Sequence, residues 1–188
     1  MTLLISGVLL WCFVHLMPSI APPLREAMVR RLGDKGYRGM FALAIGIALF
    51  LIINGWRSTP ETFVYVLPTW AGTATFVLMV VSFLLLGAAH HRTVIKRFVR
   101  HPMLAGVFLW SAGHLLSNGT TRALILFGSL GLWALIEMPL INRREGLRTK
   151  PEAPGFSEEL KGVFISAAIF IIVLLLHPYF AGVAPYRS

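Results

Sequence analysis

Residues 70–89 read WAGTATFVLMVVSFLLLGAA and contain no charged side chain. A helix needs about 20 predominantly apolar residues to cross roughly 30 Å of hydrocarbon, so this stretch predicts a transmembrane helix. The whole chain has a matching composition, with 56% hydrophobic residues, 13% charged residues and a mean hydropathy of +0.74. Soluble domains carry about 25% charged residues. The sequence therefore predicts an integral membrane protein.

Five other segments approach this length and apolarity. The predicted helices cover about 3–20, 39–56, 70–89, 102–117, 123–141 and 162–181, and the fourth is the shortest and most polar. The loops between them are short, and the longest, about 142–161, is rich in Pro, Gly and charge. We therefore expect an all-α polytopic membrane protein, a bundle of about six transmembrane helices that forms a single domain over residues 1–188.

The basic residues are concentrated in three of the predicted loops. Fourteen of the 17 Lys and Arg fall within 21–38, 90–100 and 142–161, and those that remain elsewhere are Arg57, Arg122 and Arg187. Basic residues favour cytoplasmic loops, so the odd-numbered loops are expected in the cytoplasm of a bacterial inner membrane and both termini in the periplasm. The net charge of +9 then faces anionic lipid headgroups, and nucleic acid is not an expected partner.

His15 lies on a semi-polar stripe of the otherwise apolar first helix. Trp11, Cys12, Pro18 and Ser19 fall at i−4, i−3, i+3 and i+4 and share its face. Ionisable residues within membrane spans almost always face protein, so His15 is predicted to point into the bundle. Other histidines beside basic or interfacial residues are interpreted as side chains of the membrane surface: His90, His91 and His177.

His114 repeats this pattern in the fourth segment, with Trp110, Ser111 and Asn118 at i−4, i−3 and i+4. At 100° per residue, His101 points about 140° away from His114, so the two are not expected to enter one pocket. His101 is instead predicted to form the helix entrance with Arg100 and Pro102, because proline suits the first turn. That basic pair can hold a headgroup, a phosphate or a propionate.

Two inward-facing imidazoles on different helices have two interpretations. They can be hydrogen-bonded core residues, or they can ligate haem iron, which helical bundles commonly hold between facing helices. A planar porphyrin would account for the small residues Gly106, Ala112 and Gly113, although small residues equally serve helix packing. Zinc is less favoured, because no carboxylate or thiolate lies at the same depth. The single cysteine, Cys12, excludes an internal disulfide and covalent Cys-x-x-Cys-His haem attachment.

Four motifs together resemble the NnrU family over about residues 3–145. They are His15-x-x-Pro18-Ser19, Arg31-Leu32-Gly33-x-x-x-Tyr37-Arg38-Gly39, Gly55-x-Arg57, and Arg100-His101-Pro102-Met103-Leu104-x-Gly106-x-x-x-Trp110-x-x-x-His114-Leu115-Leu116-x-Asn118-Gly119. That family is associated with denitrification and nitric oxide metabolism. It is similar to the zeta-carotene isomerases, membrane enzymes that use haem b. The resemblance implies a haem b protein that acts on a small gas or an apolar substrate, with isomerase and oxidoreductase chemistry both open.

The resemblance also implies roles for individual residues. His15 and His114 correspond to the histidines that bind the haem iron, and His101 is a motif residue outside the ligand set. Trp110 and Asn118 share the face of His114. A haem in the cytoplasmic half of the membrane would have its propionates within reach of three basic residues, Arg25, Arg38 and Arg100. Ser111 departs from the isomerases, which have a cysteine at that position, so a mechanism with a thiolate ligand is in doubt here.

The depths of the two histidines do not match fully. His15 lies four to six residues from the cytoplasmic end of its helix and His114 about twelve residues from the start of its own, which separates them by on the order of 10 Å along the membrane normal. Tilted helices and the reach of the imidazoles could absorb this offset. Otherwise His101 is the better partner for His15 by depth.

A methyltransferase is the alternative from another class. Arg100-His101-Pro102-x-x-x-Gly106 is similar to the cofactor motif of the membrane isoprenylcysteine methyltransferases, which hold S-adenosylmethionine at the cytoplasmic face. Their second motif starts with Glu-Glu-x-x-Leu, whereas here Glu158-Glu159-Leu160 leads directly into an apolar span. Glu137, near the cytoplasmic end of the fifth helix, is interpreted as the partner of a neighbouring Arg rather than as a catalytic group.

Overall fold

A computed structural model describes residues 1–181 of the chain, and this range contains helices and no strand. The helices are α1 (Thr2–Ile20), α2 (Pro22–Ser58), α3 (Ala71–Ala88), α4 (Ile95–Phe98), α5 (Pro102–Ser117), α6 (Thr121–Glu145) and α7 (Phe156–Ala181). The predicted all-α fold is confirmed. Arg187 and the expected position of the C-terminus lie outside the described residues.

Within residues 1–181, five helices are long and apolar enough to cross a membrane, namely α1, α2, α3, α6 and α7. Helix α5 is apolar too, but its 16 residues extend about 24 Å at 1.5 Å per residue. Its bounds are those predicted from the sequence. All six predicted segments are thus helical, and the chain is a multi-pass membrane protein.

Helix α2 begins at Pro22, well before the predicted start near residue 39. Proline suits the first turn of a helix, which here contains Pro22 and Pro23, and no further proline or glycine follows until Gly33. There φ is 70° and ψ is 167°, a conformation that glycine adopts without steric cost. The hydropathy of the sequence identified only the part of α2 that follows this kink, because only that part is apolar. All five basic residues expected in the first loop therefore lie on α2: Arg25, Arg30, Arg31, Lys35 and Arg38.

Two other helices extend past their apolar parts. Helix α6 continues to Glu145 rather than ending near 141, and α7 begins at Phe156 rather than near 162. Glu158 and Glu159 lie in the first turn of α7, where carboxylates interact favourably with the helix dipole. A search for apolar segments does not detect polar helical turns of this kind. Residues 124–128 of α6 form one π-helical turn.

The order of packing places α6 between the two helices that carry His15 and His114. Helix α1 packs against α2 and α6, α5 packs against α6 and α3, and α3 packs against α7. The contact between α1 and α2 is close, because a Cβ atom on Gly55 would meet the backbone of Leu4. Small residues allow such backbone approach between membrane helices.

The three basic segments meet at one end of the bundle, here called the basic end. Arg144 at the end of α6 donates from Nη1 to Ser19 Oγ at the end of α1, over 3.1 Å. Arg100, just before α5, lies 3.7 Å from the carboxylate of Glu145. The sequence predicts that these segments lie on one side of a membrane, and the contacts bring their helix ends together at one end of the bundle.

The opposite end is covered by the loop between α2 and α3. Val64 N donates to Gly119 O over 2.8 Å, which ties this loop to the turn between α5 and α6. Arg122 pairs with Glu61, and its guanidinium lies 4.4 Å from the centroid of the Trp56 ring. These contacts fix the ends of α5 and α6 against α2.

Candidate functional site

His15 lies among aromatic rings from three helices. Its Nδ1 atom is 2.9 Å from the carbonyl oxygen of Trp11, one turn earlier in α1. A carbonyl oxygen only accepts hydrogen bonds, so Nδ1 carries the proton and Nε2 keeps its lone pair. The ring stacks on Trp11 with centroids 4.4 Å apart, and it also contacts Trp133 at 4.9 Å and Phe41 at 5.5 Å.

His114 has the same local geometry on α5. Its Nδ1 atom donates to the carbonyl oxygen of Trp110 over 2.9 Å, and its ring lies 4.5 Å from that of Trp110. Phe127 from α6 stacks on the His114 ring, with centroids 4.4 Å apart and planes inclined by 22°, and also contacts Trp110 at 5.0 Å. The chain therefore contains two Trp-x-x-x-His units in which the tryptophan supplies both a carbonyl acceptor and a ring.

The structure places the two imidazoles at different depths. His15 contacts Trp133 and His114 contacts Phe127, and these two residues are separated by six positions of α6, or about 9 Å along its axis. Within residues 1–181, no hydrogen bond or ring contact joins His15 to His114. This separation agrees with the offset expected from the sequence.

His177 was missed as a neighbour of this cluster by the sequence analysis. Its ring centroid lies 6.4 Å from that of His114, although the sequence suggested an interfacial side chain. A partial signal existed, because His177 follows the predicted start of its helix by 15 residues and His114 follows its own by 12, a difference in depth of about 4.5 Å.

The basic residues expected near the propionates occupy different places at the basic end. Arg25 lines a pocket of about 310 Å³ with Pro18, Pro22, Glu26 and Arg144. Arg38 is exposed and Arg100 is paired with Glu145. Of the three, only Arg25 lines this pocket.

His101 and Asn118 have hydrogen-bonding partners outside the two Trp-x-x-x-His units. His101 Nε2 lies 2.9 Å from Asn142 Oδ1, which links the start of α5 to the end of α6. Asn118 Oδ1 accepts a 2.8 Å hydrogen bond from Thr120 Oγ1 in the turn between α5 and α6. Both residues stabilise helix ends. Of the residues expected on the face of His114, Trp110 contacts its ring.

Glu137 is a buried carboxylate close to the basic end, where it contacts Ser19. Its side chain is 5% exposed, and Oε1 accepts a 2.7 Å hydrogen bond from Ser19 Oγ. Arg144 bonds to Ser19, so the expected link between Glu137 and an arginine runs through this hydroxyl. Among the described residues, several buried polar atoms near His15 have no hydrogen-bond partner: Glu137 Oε2, Trp11 Nε1, Trp133 Nε1 and Tyr37 Oη.

Two of the small residues on α5 serve helix packing. A Cβ atom on Gly106 would lie 3.0 Å from Ser82 O, and one on Gly113 would meet Met79. Both glycines thus face α3. The interpretation that they make room for a porphyrin is not supported by their position, and close packing of membrane helices explains them.

Comparison with known families gives one match. A family model described as NnrU protein matches residues 3–185, which is nearly the whole chain. The chain belongs to the NnrU family. The match extends beyond the motifs in residues 3–145 and includes α7, the helix that carries His177. Comparisons with curated proteins and with solved structures find no match for this NnrU protein.

The two imidazoles of the NnrU chain are donors of the type that haem iron accepts. Within residues 1–181 there is no group of three or more His, Cys, Asp or Glu side chains that could hold a metal. A porphyrin supplies four nitrogen ligands itself, so one or two imidazoles complete its iron. His15 and His114 each offer Nε2 while a carbonyl holds Nδ1, the arrangement that metal-binding histidines usually have.

Proposed function

We propose that this NnrU protein binds haem b in the bacterial inner membrane, with His15 and His114 as iron ligands. The observation that carries the proposal is the shared geometry of the two Trp-x-x-x-His units. In each unit a 2.9 Å hydrogen bond to a carbonyl fixes the imidazole as the Nε2 ligand tautomer. The apolar helices that surround both rings suit a lipid-soluble porphyrin.

The basic end supplies groups for the propionates. Arg25 and Arg144 line the same pocket next to the last turn of α1, which is one turn beyond His15. Guanidinium groups bind carboxylates through charge-assisted hydrogen bonds. We assign propionate binding to this pair because both residues line the pocket beside α1, although Arg144 also lies 3.4 Å from the carboxylate of Glu145.

The protein's own contribution is to hold the imidazoles and to exclude water. Trp11 and Trp133 restrict the ring of His15, and Trp110 and Phe127 restrict that of His114. When bound, haem supplies a redox-active iron with affinity for small gases. Nitric oxide is the ligand that we propose, in line with the association of the family with denitrification.

Among the described residues, no contact supports the alternative function of methyl transfer. Arg100 and His101 are engaged with Glu145 and Asn142 at the ends of α5 and α6. Glu159 accepts hydrogen bonds from Thr93 Oγ1 and Val94 N, and so it holds the loop that precedes α5. These residues have structural roles at the basic end.

The test is the visible and electron paramagnetic resonance spectrum of the purified protein. We expect a Soret band with a low-spin six-coordinate signal, and a high-spin five-coordinate signal in His15→Ala and in His114→Ala. His90→Ala is the matched control, since His90 is exposed and lies outside both units. Haem per protein, measured as the pyridine haemochrome, gives the stoichiometry. Absence of a Soret band, or unchanged spectra in both variants, refutes the proposal, and binding of S-adenosylmethionine would favour the alternative.

A further inference from the structure

A second cavity lies between α5 and α6, away from the basic end. It has a volume of about 260 Å³, and its lining includes Phe108, Ser111, Phe127, Gly128 and Gly131. Leu132 and Leu135 also line it and are 58% and 46% exposed, so the cavity opens on the outer surface of the bundle. In a membrane that surface faces lipid, and the cavity is open to molecules dissolved there.

One polar group in this cavity has no partner. Ser111 is 1% exposed, and within residues 1–181 its Oγ atom makes no hydrogen bond. The neighbouring hydroxyl of Ser117 behaves differently, because it donates to Gly113 O of its own helix over 3.1 Å. Leaving a buried donor unsatisfied costs free energy. Ser111 is therefore positioned to donate to an acceptor atom of a bound molecule.

The depth of Ser111 restricts where that acceptor can come from. Ser111 follows the first residue of α5 by nine positions, or about 13 Å along the helix. Half of the hydrocarbon thickness is roughly 15 Å, so Ser111 lies near the middle of the membrane. The ester carbonyls of phospholipids lie at the interface, outside the hydrocarbon. The acceptor must then belong to a molecule that itself dissolves in the hydrocarbon.

The volume of the cavity restricts the size of the group that enters it. It exceeds the roughly 150 Å³ of a cavity that binds benzene, and it falls below the roughly 300 Å³ at which pockets for drug-sized ligands begin. One ring with small substituents fits, and a porphyrin does not. A Cβ atom on Gly128 would meet no atom within 4 Å, so the space next to this glycine is open.

We propose that this cavity binds a membrane-soluble single-ring carbonyl compound, the chemical class of a quinone head group, with Ser111 Oγ donating to its carbonyl oxygen. Phe127 lines the cavity and also stacks on His114 at 4.4 Å. A ring in the cavity would therefore lie against the residue that packs on His114. The proposal stands apart from haem binding, because none of its steps requires iron.

The probes are duroquinone and durene, which share a ring with four methyl groups and differ in the two carbonyl oxygens. Binding is measured by saturation-transfer NMR titration of the purified protein in lipid nanodiscs, with protein-free nanodiscs as the blank. We expect duroquinone to bind about three- to tenfold more tightly than durene, the range of one neutral hydrogen bond. Ser111→Ala should remove this preference, and Ser117→Ala should keep it.

Gly128→Leu tests the location. Its side chain fills the cavity and should abolish binding of both probes, whereas Gly46→Leu, at another glycine with open space around its Cβ, should leave binding unchanged. Equal affinity for the two probes, or binding that survives Gly128→Leu, overturns the proposal. So does the absence of saturable binding to the unaltered protein. Visible spectra of the same samples show separately whether haem is bound, which keeps a failure of this proposal distinct from a failure of haem binding.

Discussion

The rings of His114 and His177 lie with their centroids 6.4 Å apart and their planes inclined by 29°. An imidazole from α7 thus contacts His114, whereas within residues 1–181 no ring contact joins His15 to His114. If His15 and His114 are the iron ligands, His177→Ala should keep the low-spin spectrum of the unaltered protein. A high-spin spectrum in His177→Ala together with an unchanged one in His15→Ala would contradict this expectation and identify His177 as the second ligand.

Ser19→Ala is expected to destabilise the protein through Glu137. The hydroxyl of Ser19 donates to Glu137 Oε1 over 2.7 Å, and the carboxylate is 5% exposed. Loss of a donor to a buried group costs about 1–3 kcal/mol, which should appear in the free energy of unfolding measured by titration with sodium dodecyl sulfate. Ser58→Ala is the control, because Ser58 is exposed and makes a 3.4 Å contact with Gly55 O of its own helix. Equal values for the two variants would show that the Ser19 hydrogen bond does not stabilise the fold.

Gly55→Ala is expected to separate α1 from α2. An added Cβ would meet the backbone of Leu4 rather than a flexible side chain, and overpacking of this kind costs about 1–3 kcal/mol. Gly46→Ala in the same helix meets nothing within 4 Å and should be neutral or slightly stabilising, since alanine favours helix. Unfolding midpoints of the two variants in the same detergent provide the measurement. A neutral Gly55→Ala would mean that the helices do not approach as closely as described.

The sequence predicted the helices well where apolar length and a helix-start residue coincide. Helix α5 begins at Pro102, as expected, because the proline follows directly on the basic residues and precedes the apolar run. The start of α2 was not predicted, since residues 22–38 are polar and basic and only the neighbouring helices decide whether they continue the helix. Hydropathy detects the membrane-crossing part of a helix and not its extension beyond the membrane.

The candidate site was predictable in part for a similar reason. The stripes around His15 and His114 are local, so their inward direction and the Trp neighbours at i−4 could be read from helical periodicity. The rings of Trp133 and Phe127 could not, because they come from α6. Nothing in six apolar segments encodes that α6 packs between α1 and α5. Which polar atoms remain unpaired, such as Ser111 Oγ, also depends on that order.

The topology of the membrane spans depends on α5, and reporter fusions can test it. The helix extends only about 24 Å. The basic residues nevertheless fit a full crossing, because Arg100 precedes α5 and the basic loop 142–161 follows α6. These two basic segments lie on the same side of the membrane only if both α5 and α6 cross it. We expect a phosphatase fused after Ser188 to be active in the periplasm and a fluorescent protein inserted after Gly155 to fold in the cytoplasm. If α5 does not cross, only five spans remain and the two termini lie on opposite sides. A fluorescent protein that folds in the cytoplasm when fused after Ser188, with the N-terminus accessible from the periplasm, would establish that outcome.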